Sequence, residues 1–135
     1  MSNIIWINGC FDILHRGHIE LFKHAHSLGD TVLVGIDSDK KIKKEKGKKR
    51  PFNNQKDRKE ILKSIKYIDK VFIFNTPQEL ENLIKFYTPD IMIIGSDWKG
   101  KTIIGSQYAK KINFFNRIEK YSTSIILKDK ITPKH

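Results

Sequence analysis

The 135-residue sequence predicts an α/β domain whose mostly parallel, five-stranded sheet is doubly wound, with helices on both faces. Short, continuous apolar runs such as Thr31–Ile36 and Ile91–Ile94 are typical of strands that are buried on both faces. The segments between these runs carry apolar residues at spacings of three and four, which indicates helices. Strands that alternate with helices form right-handed crossover units, and such units build a parallel sheet.

The predicted elements can be justified from their ends. An opening strand at 4–7 is followed by four more, at Thr31–Ile36, Lys70–Phe74, Ile91–Ile94 and Lys111–Phe115. Gly29 closes the first helix, since glycine commonly follows a helix C-terminus. Asn53 or Asn54 caps a second helix through Gln55–Ile68. Thr76 caps a third helix that reaches about Tyr87 and has proline in its first turn.

Phosphate chemistry is predicted where the first strand turns into the first helix. His15 and His18 stand at the start of that helix, on either side of Gly17. A helix start offers unpaired N–H groups and the positive end of the helix dipole, and imidazoles add donors that can become cationic near neutral pH. The pair could instead be half of a metal site, but the chain has one cysteine, and its other histidines make no obvious ligand set with carboxylates.

Composition limits the class of protein. A length of 135 residues fits one domain, 1–135, and no apolar run approaches the roughly 20 residues of a membrane span. The start lacks the basic region of a signal peptide, and a single cysteine excludes an internal disulfide, so a cytoplasmic location without membrane attachment is expected. The net charge of +11 favours anionic partners, but the lysines are not interleaved with aromatics as a nucleic-acid surface requires. Small phosphorylated ligands are therefore expected, and nucleic acid is not.

Two adjacent motifs allow a family resemblance to be named. Gly9-Cys10-Phe11-Asp12 followed by His15-Arg16-Gly17-His18 resembles the motif of the cytidylyltransferase-like nucleotidyltransferases, whose hallmark is His-x-Gly-His. The resemblance covers nearly the whole chain and implies a Rossmann-like fold. It implies catalytic roles for His15, His18, Lys46 and Arg117. It implies nucleotide-binding roles for Gly9, Cys10, Phe11, Gly17, Asp39, Lys43, Lys46, Arg58, Asp97, Trp98, Arg117, Glu119, Tyr121, Ser122, Thr123 and Ser124.

Later motifs divide between two branches of the family. Lys43-x-x-Lys46-Gly47-x-x-Arg50-Pro51, in a basic loop at 40–52 predicted to cover the active site, resembles the branch that makes ADP-heptose. Asp97-Trp98 and Arg117 resemble the glycerol-3-phosphate cytidylyltransferase branch, although Lys120 stands where the family has glycine. Two alternatives stay open from the residues alone. Arg58 either pairs with a carboxylate such as Asp39 or touches nucleotide, and Trp98 either packs or stacks on ligand.

The reaction that the resemblance implies is transfer of a nucleoside monophosphate from CTP or ATP to the phosphate of a small polyol or sugar, with release of pyrophosphate. Glycerol 3-phosphate and CTP are the preferred substrates, and a heptose 1-phosphate with ATP is the alternative. A nucleotide-binding regulator without catalysis is a further alternative. Mg²⁺ is expected to enter on the phosphates, with no side-chain ligand. The resemblance also implies a homodimer and a role in cell-surface polysaccharide biosynthesis.

Overall fold

The computed structural model describes residues 3–116, which form five parallel strands and four α-helices. The strands are β1 (Ile4–Gly9), β2 (Thr31–Asp37), β3 (Lys70–Phe74), β4 (Ile91–Gly95) and β5 (Lys111–Phe115). The helices are α1 (Arg16–Leu28), α2 (Asp39–Lys46), α3 (Gln55–Lys63) and α4 (Pro77–Tyr87). All four strand pairings are parallel, in the order β3-β2-β1-β4-β5. The predicted α/β class, Rossmann-like and doubly wound, is confirmed.

Side chains alternate across the sheet and pack against helices on both faces. Ile5 and Ile7 of β1 belong to one buried cluster with Phe22 of α1 and Leu62 of α3. Trp6, between them in sequence, belongs to the other cluster, with Leu80 and Ile84 of α4. Successive strand residues point to opposite faces, so one apolar strand fills both cores. This explains why the strands read as unbroken apolar runs.

The main difference from the sequence prediction is helix α2. The segment 40–52 was expected to be a basic loop, but residues 39–46 are helical, and only the following connection to α3 is a loop. The Ser38 side chain accepts the Lys41 N–H as an N-cap, and Ile42 is buried beneath the helix. Lys41 also pairs with Asp37 and Glu45, each four residues away. The Ser38 cap and the Lys41–Glu45 pair within the helix stabilise α2.

Two helix ends also differ in detail. Asn54, rather than Asn53, caps α3 by accepting the Asp57 N–H, and the helix ends at Lys63, five residues before the predicted Ile68. Gly29 ends α1 as predicted, but its backbone is extended rather than left-handed. A Cβ at Gly29 would lie 2.7 Å from the Asn3 carbonyl oxygen. Close packing against the strand entrance is therefore what favours glycine there.

Aspartates hold together the amino edge of the sheet, where the strands begin. Asp90, just before β4, accepts the N–H of Ile4 in β1 at 2.7 Å, and Asp69, just before β3, accepts the N–H of Val32 in β2 at 2.7 Å. Asp30 does the same for Asn3 at 3.0 Å. Each carboxylate satisfies a strand-end donor that has no ladder partner. The functional groups described below all lie at the opposite edge.

A pH-dependent contribution to stability is expected from Asp90. The N–H of Ile4 and the ammonium of Lys110 hold the pKa of this carboxyl below its ordinary value. A depressed folded-state pKa adds stability above the unfolded pKa, and that stability is lost as the pH falls through the folded value. Asp90→Asn should therefore lower the free energy of unfolding at pH 7, and the difference should narrow below about pH 4.

Urea unfolding at pH 7, 5, 4 and 3 measures this difference. Glu60→Gln is the matched control, because its carboxylate is largely exposed and only weakly paired with Lys63. A difference between Asp90→Asn and the parent that stays constant over this pH range would contradict the assignment.

None of the helices between residues 3 and 116 combines the length and apolarity needed to cross a membrane.

Candidate active site

The site lies where two neighbouring strands separate. β1 and β4 are adjacent, but their paired register covers only Ile5 with Ile91 and Trp6 with Met92. Beyond those pairs, residues 7–9 and 93–95 line the walls of a cavity of about 740 Å³. The chain builds β2 and β3 on one side of β1 and then returns to add β4 and β5 on the other. Ligands of open parallel sheets bind at such a reversal, beyond the carboxyl ends of the strands.

The two predicted histidines line this cavity and hold each other in place. His15 is the N-cap of α1, and its Nδ1 accepts the Gly17 N–H at 3.1 Å. His18 Nδ1 accepts the His15 N–H at 3.2 Å, and the two rings stack with centroids 3.9 Å apart. A ring nitrogen that accepts an N–H carries no proton, so each neutral ring has its proton on Nε2. The pair therefore presents Nε2–H donors, as the sequence predicted donors at this helix start.

Cys10 lies in the wall of the cavity as a thiol. Burial raises the pKa of the Cys10 thiol, and the positive charges of Lys46 and Arg58 oppose this only in part. A thiol with a raised pKa is a poor nucleophile near neutral pH. Cys10 is therefore a small residue of the cavity wall rather than a nucleophile.

Arg58 is structural. It is 1% exposed, and its guanidinium donates to the carbonyl oxygens of Asn53, Cys10 and Asp37 and to the carboxylate of Asp39 at 2.8 Å. The sequence left two roles open for Arg58, and in the structure it pairs with Asp39. Neither residue lines the cavity. Their part in the site is to fix the ends of β1 and β2.

The remaining predicted residues divide into three groups. Gly9, Phe11, Gly17, Lys46, Asp97 and Trp98 line the cavity with the residues already placed there. Lys43 is exposed on α2 and does not line it. Outside the described residues lie Arg117, Glu119, Lys120, Tyr121, Ser122, Thr123 and Ser124. Trp98 is 52% exposed, so packing in the core does not account for it.

Several polar cavity residues were missed by the sequence prediction of site residues. Lys41 and Glu45 of α2 and Asp37 at the end of β2 line the cavity as one ion-paired group. Burial disfavours the charged Lys41, but hydrogen bonds to Glu45 and Asp37 outweigh it and raise its pKa. The four-residue spacing of these charges was the available signal. Arg50 also lines the cavity; it stands in the motif at 43–51, but the sequence prediction gave it no role in the site.

Comparison with known proteins agrees with the phosphate-binding site that the geometry indicates. Residues 6–132 match the cytidylyltransferase-like family. The chain therefore belongs to the cytidylyltransferase-like family and is a nucleotidyltransferase.

Among individual proteins, the chain is 43% identical over 128 residues to the bifunctional protein HldE of Nitratiruptor sp., and 42% identical over 134 residues to that of Helicobacter pylori strain HPAG1. These matches cover 93% and 99% of this chain but only 27% and 28% of the relatives, so the chain spans about a quarter of their length.

Solved structures agree on the fold. A lipopolysaccharide core biosynthesis protein from Thermoplasma volcanium superposes with a TM-score of 0.67 at 22% identity, over 87% of this chain and 97% of its own. A pantoate-beta-alanine ligase from Francisella tularensis superposes with a TM-score of 0.59 at 18% identity, over 96% of this chain and 70% of its own. At these identities the likeness establishes a shared fold and no shared substrate.

Proposed function

We propose that this chain transfers the adenylyl group of ATP to the phosphate of a heptose 1-phosphate, forming an ADP-heptose and releasing pyrophosphate. The observation that carries the proposal is the cavity between β1 and β4, which is lined by His15 and His18 from the start of α1 and by Lys46 from the end of α2. The choice of acceptor is supported by the likeness to HldE proteins over most of the chain and by the resemblance of residues 43–51 to the ADP-heptose branch. The first preference of the sequence, cytidylyl transfer to glycerol 3-phosphate, gains no support from these relatives.

In the proposed reaction, a phosphate oxygen of the sugar attacks the α-phosphorus of ATP. A new bond forms between that oxygen and the α-phosphorus, and the bond to the bridging oxygen of the β-phosphate breaks. The attacking phosphate is already ionised near neutral pH, so the reaction requires no general base. Catalysis then depends on alignment and on stabilising negative charge in the transition state.

The two histidines would supply that stabilisation. Their Nδ1 atoms are held by backbone N–H groups, which fixes the planes of both rings before substrate binds. Nε2–H donors that need no rearrangement stabilise developing charge more than flexible donors do. Lys46 would neutralise the phosphates of the leaving pyrophosphate from the end of α2.

Mg²⁺ would supply further charge neutralisation on the triphosphate when bound. Between residues 3 and 116, no group of three His, Cys, Asp or Glu side chains is arranged to hold a metal ion. Asp12 accepts hydrogen bonds on both carboxylate oxygens, and Asp37 pairs with Lys41. This donor set fits an ion carried by the phosphates and their water ligands rather than one held by a protein cage.

A substrate matrix tests the proposal directly. Pyrophosphate release is measured with ATP or CTP against heptose 1-phosphate, glycerol 3-phosphate and ribitol 5-phosphate. The expected result is turnover with ATP and heptose 1-phosphate, and at least about tenfold lower kcat/KM for every other pair, because polar groups left unpaired by a wrong ligand are costly. Preferred use of CTP or of a polyol phosphate would overturn the proposed substrates.

Trp98 is expected to stack on the adenine base. Its half-exposed ring lines the cavity, and the Lys101 ammonium lies 5.5 Å from the ring centre. Loss of a stacked base costs about 1–3 kcal/mol, so Trp98→Ala should raise the Kd for ATP roughly 5- to 150-fold. Trp98→Phe keeps an aromatic face and should raise it less.

Calorimetry measures the Kd of each variant, and tryptophan fluorescence reports whether ATP contacts the ring. The only other tryptophan, Trp6, is fully buried, so quenching by ATP should come from Trp98 and should disappear in Trp98→Phe. An unchanged Kd in Trp98→Ala would show that the ring does not contact the nucleotide.

The predicted homodimer stays a prediction, and light scattering coupled to size-exclusion chromatography would test it.

A further inference from the structure

Arg50 differs from Arg58 in a way that indicates a different role. Arg58 is buried, and protein oxygens accept from all three of its guanidinium nitrogens. The Arg50 side chain is 22% exposed and lines the cavity. Only its Nε is engaged, as a donor to Asp12 at 3.2 Å. Within residues 3–116, the structure gives its two terminal amino groups no partner.

Asp12 is a rigid anchor for this arginine. It is 3% exposed and also accepts the N–H groups of Phe52 at 2.7 Å and Asn53 at 2.8 Å. The Asn53 side-chain amide donates back to the Asp12 carbonyl oxygen at 2.7 Å. The turn after β1 and the connection between α2 and α3 are therefore joined at one point. Arg50 is held at the cavity wall by its inner nitrogen.

The hydrogen-bonding capacity of the buried Asp12 carboxylate does not by itself require Arg50. Two backbone N–H groups already donate to the buried carboxylate, one to each oxygen. What the ion pair adds is the orientation of the guanidinium, because an arginine fixed at Nε can present both terminal nitrogens to one anion. Such a fork matches two oxygens of a phosphate, and its ordering is complete before the ligand arrives.

We propose that Arg50 is a phosphate-binding residue of this active site and that Asp12 is its positioning residue. The ligand is a phosphate group bound through Nη1 and Nη2, from either the nucleotide triphosphate or the phosphorylated acceptor. The inference rests on the proposed nucleotidyl transfer, but it concerns phosphate recognition and does not depend on which sugar is used.

The test compares Arg50→Ala and Arg50→Lys with Lys49→Ala, which removes the same charge from an exposed neighbour outside the cavity lining. Calorimetry measures binding of ATP and of inorganic tripolyphosphate without acceptor, and steady-state kinetics measures KM for each substrate. A hydrogen bond to a charged group is worth about 1.5–3 kcal/mol, so Arg50→Ala should weaken phosphate binding roughly 10- to 150-fold. The phosphate affinity of Arg50→Lys should lie between those of the parent and Arg50→Ala, since lysine offers a point charge but not the two-pronged donor of arginine.

The binding constants distinguish a phosphate of the nucleotide from the phosphate of the acceptor. Weaker binding of ATP and tripolyphosphate assigns Arg50 to the nucleotide, whereas an increase only in the KM for the acceptor assigns it to the acceptor. Partial rescue of Arg50→Ala by added guanidinium ions would support either assignment, and a purely structural role would not produce it. Equal binding and equal KM values in Arg50→Ala and Lys49→Ala would overturn the proposal.

Asp12→Asn tests the positioning role. It should raise the same Kd or KM that Arg50→Ala raises. The double variant should raise that constant little more than Arg50→Ala alone, because the two residues act as one unit. Fully additive losses would overturn the link between them. If no heptose phosphate is turned over but Arg50→Ala still loses ATP binding, the proposed acceptor fails and the role of Arg50 stands.

Discussion

Replacing His18 with alanine should lower kcat by about 10²- to 10³-fold, the usual loss when one preorganised donor to developing charge is removed. The Kd for ATP should change by less than about threefold, because an interaction made mainly in the transition state contributes little to ground-state binding. Single-turnover kinetics and calorimetry on the same samples separate these two effects.

The structure also shows why alanine alone is an ambiguous substitution at this position. His18 Nδ1 accepts the N–H of His15, so His18→Ala removes a helix cap as well as the proposed catalytic donor. Loss of a cap costs about 0.5–2 kcal/mol of stability. His18→Asn keeps an acceptor near the position of Nδ1, whereas His18→Gln places an amide donor nearer to Nε2.

The expected pattern distinguishes the two roles. His18→Asn should recover stability but not rate, and His18→Gln should recover part of the rate. A His18→Asn enzyme with nearly parental turnover would mean that the ring serves only as a cap, and the proposed role of its Nε2 would be wrong.

Replacing Arg58 with methionine should destabilise the protein by about 3–5 kcal/mol, the typical cost of removing one partner of a buried, hydrogen-bonded charge pair. Methionine keeps much of the apolar stem but leaves three carbonyl oxygens and the Asp39 carboxylate without their donor. For a chain of this size, the melting temperature should fall by roughly 10 to 20 °C.

Urea unfolding measures the effect, and Lys63→Met is the control. Lys63 forms an exposed ion pair with Glu60 at 4.0 Å, and its side chain is 53% exposed. Exposed pairs contribute about 0–1 kcal/mol, so this variant should unfold close to the parent. Similar losses in the two variants would mean that the Arg58 network contributes no more than a surface pair.

The sequence was informative where local pattern determines structure. Strands such as Lys70–Phe74 and the start of α4 at Thr76 could be predicted because apolar runs and capping residues act over a few positions. Helix α2 was missed because its helix-forming features, the Ser38 cap and one buried isoleucine, are outnumbered by lysines. The lysine-rich composition of that segment led to the prediction of a loop, although its cap and its spacing favour a helix.

The site was predictable only in part, because some of its residues are brought together by the fold and not by a local pattern. His15 and His18 lie in one short motif, and their position at the start of α1 follows from the strand–turn–helix pattern. The bond from Arg50 to Asp12 joins residues 38 positions apart, and the fold alone brings them together. The separation of β1 from β4 is likewise a property of the sheet, which neither strand's sequence specifies.

The aspartates at the strand entrances stabilise the end of the sheet opposite the candidate site. Strands of five to seven residues span roughly 16 to 23 Å, so Asp90 lies well beyond contact distance from the imidazole pair. Changes that far apart generally combine without interacting. Engineering for heat or acid tolerance can therefore be confined to the entrance end, leaving the turnover rate as an independently adjustable property.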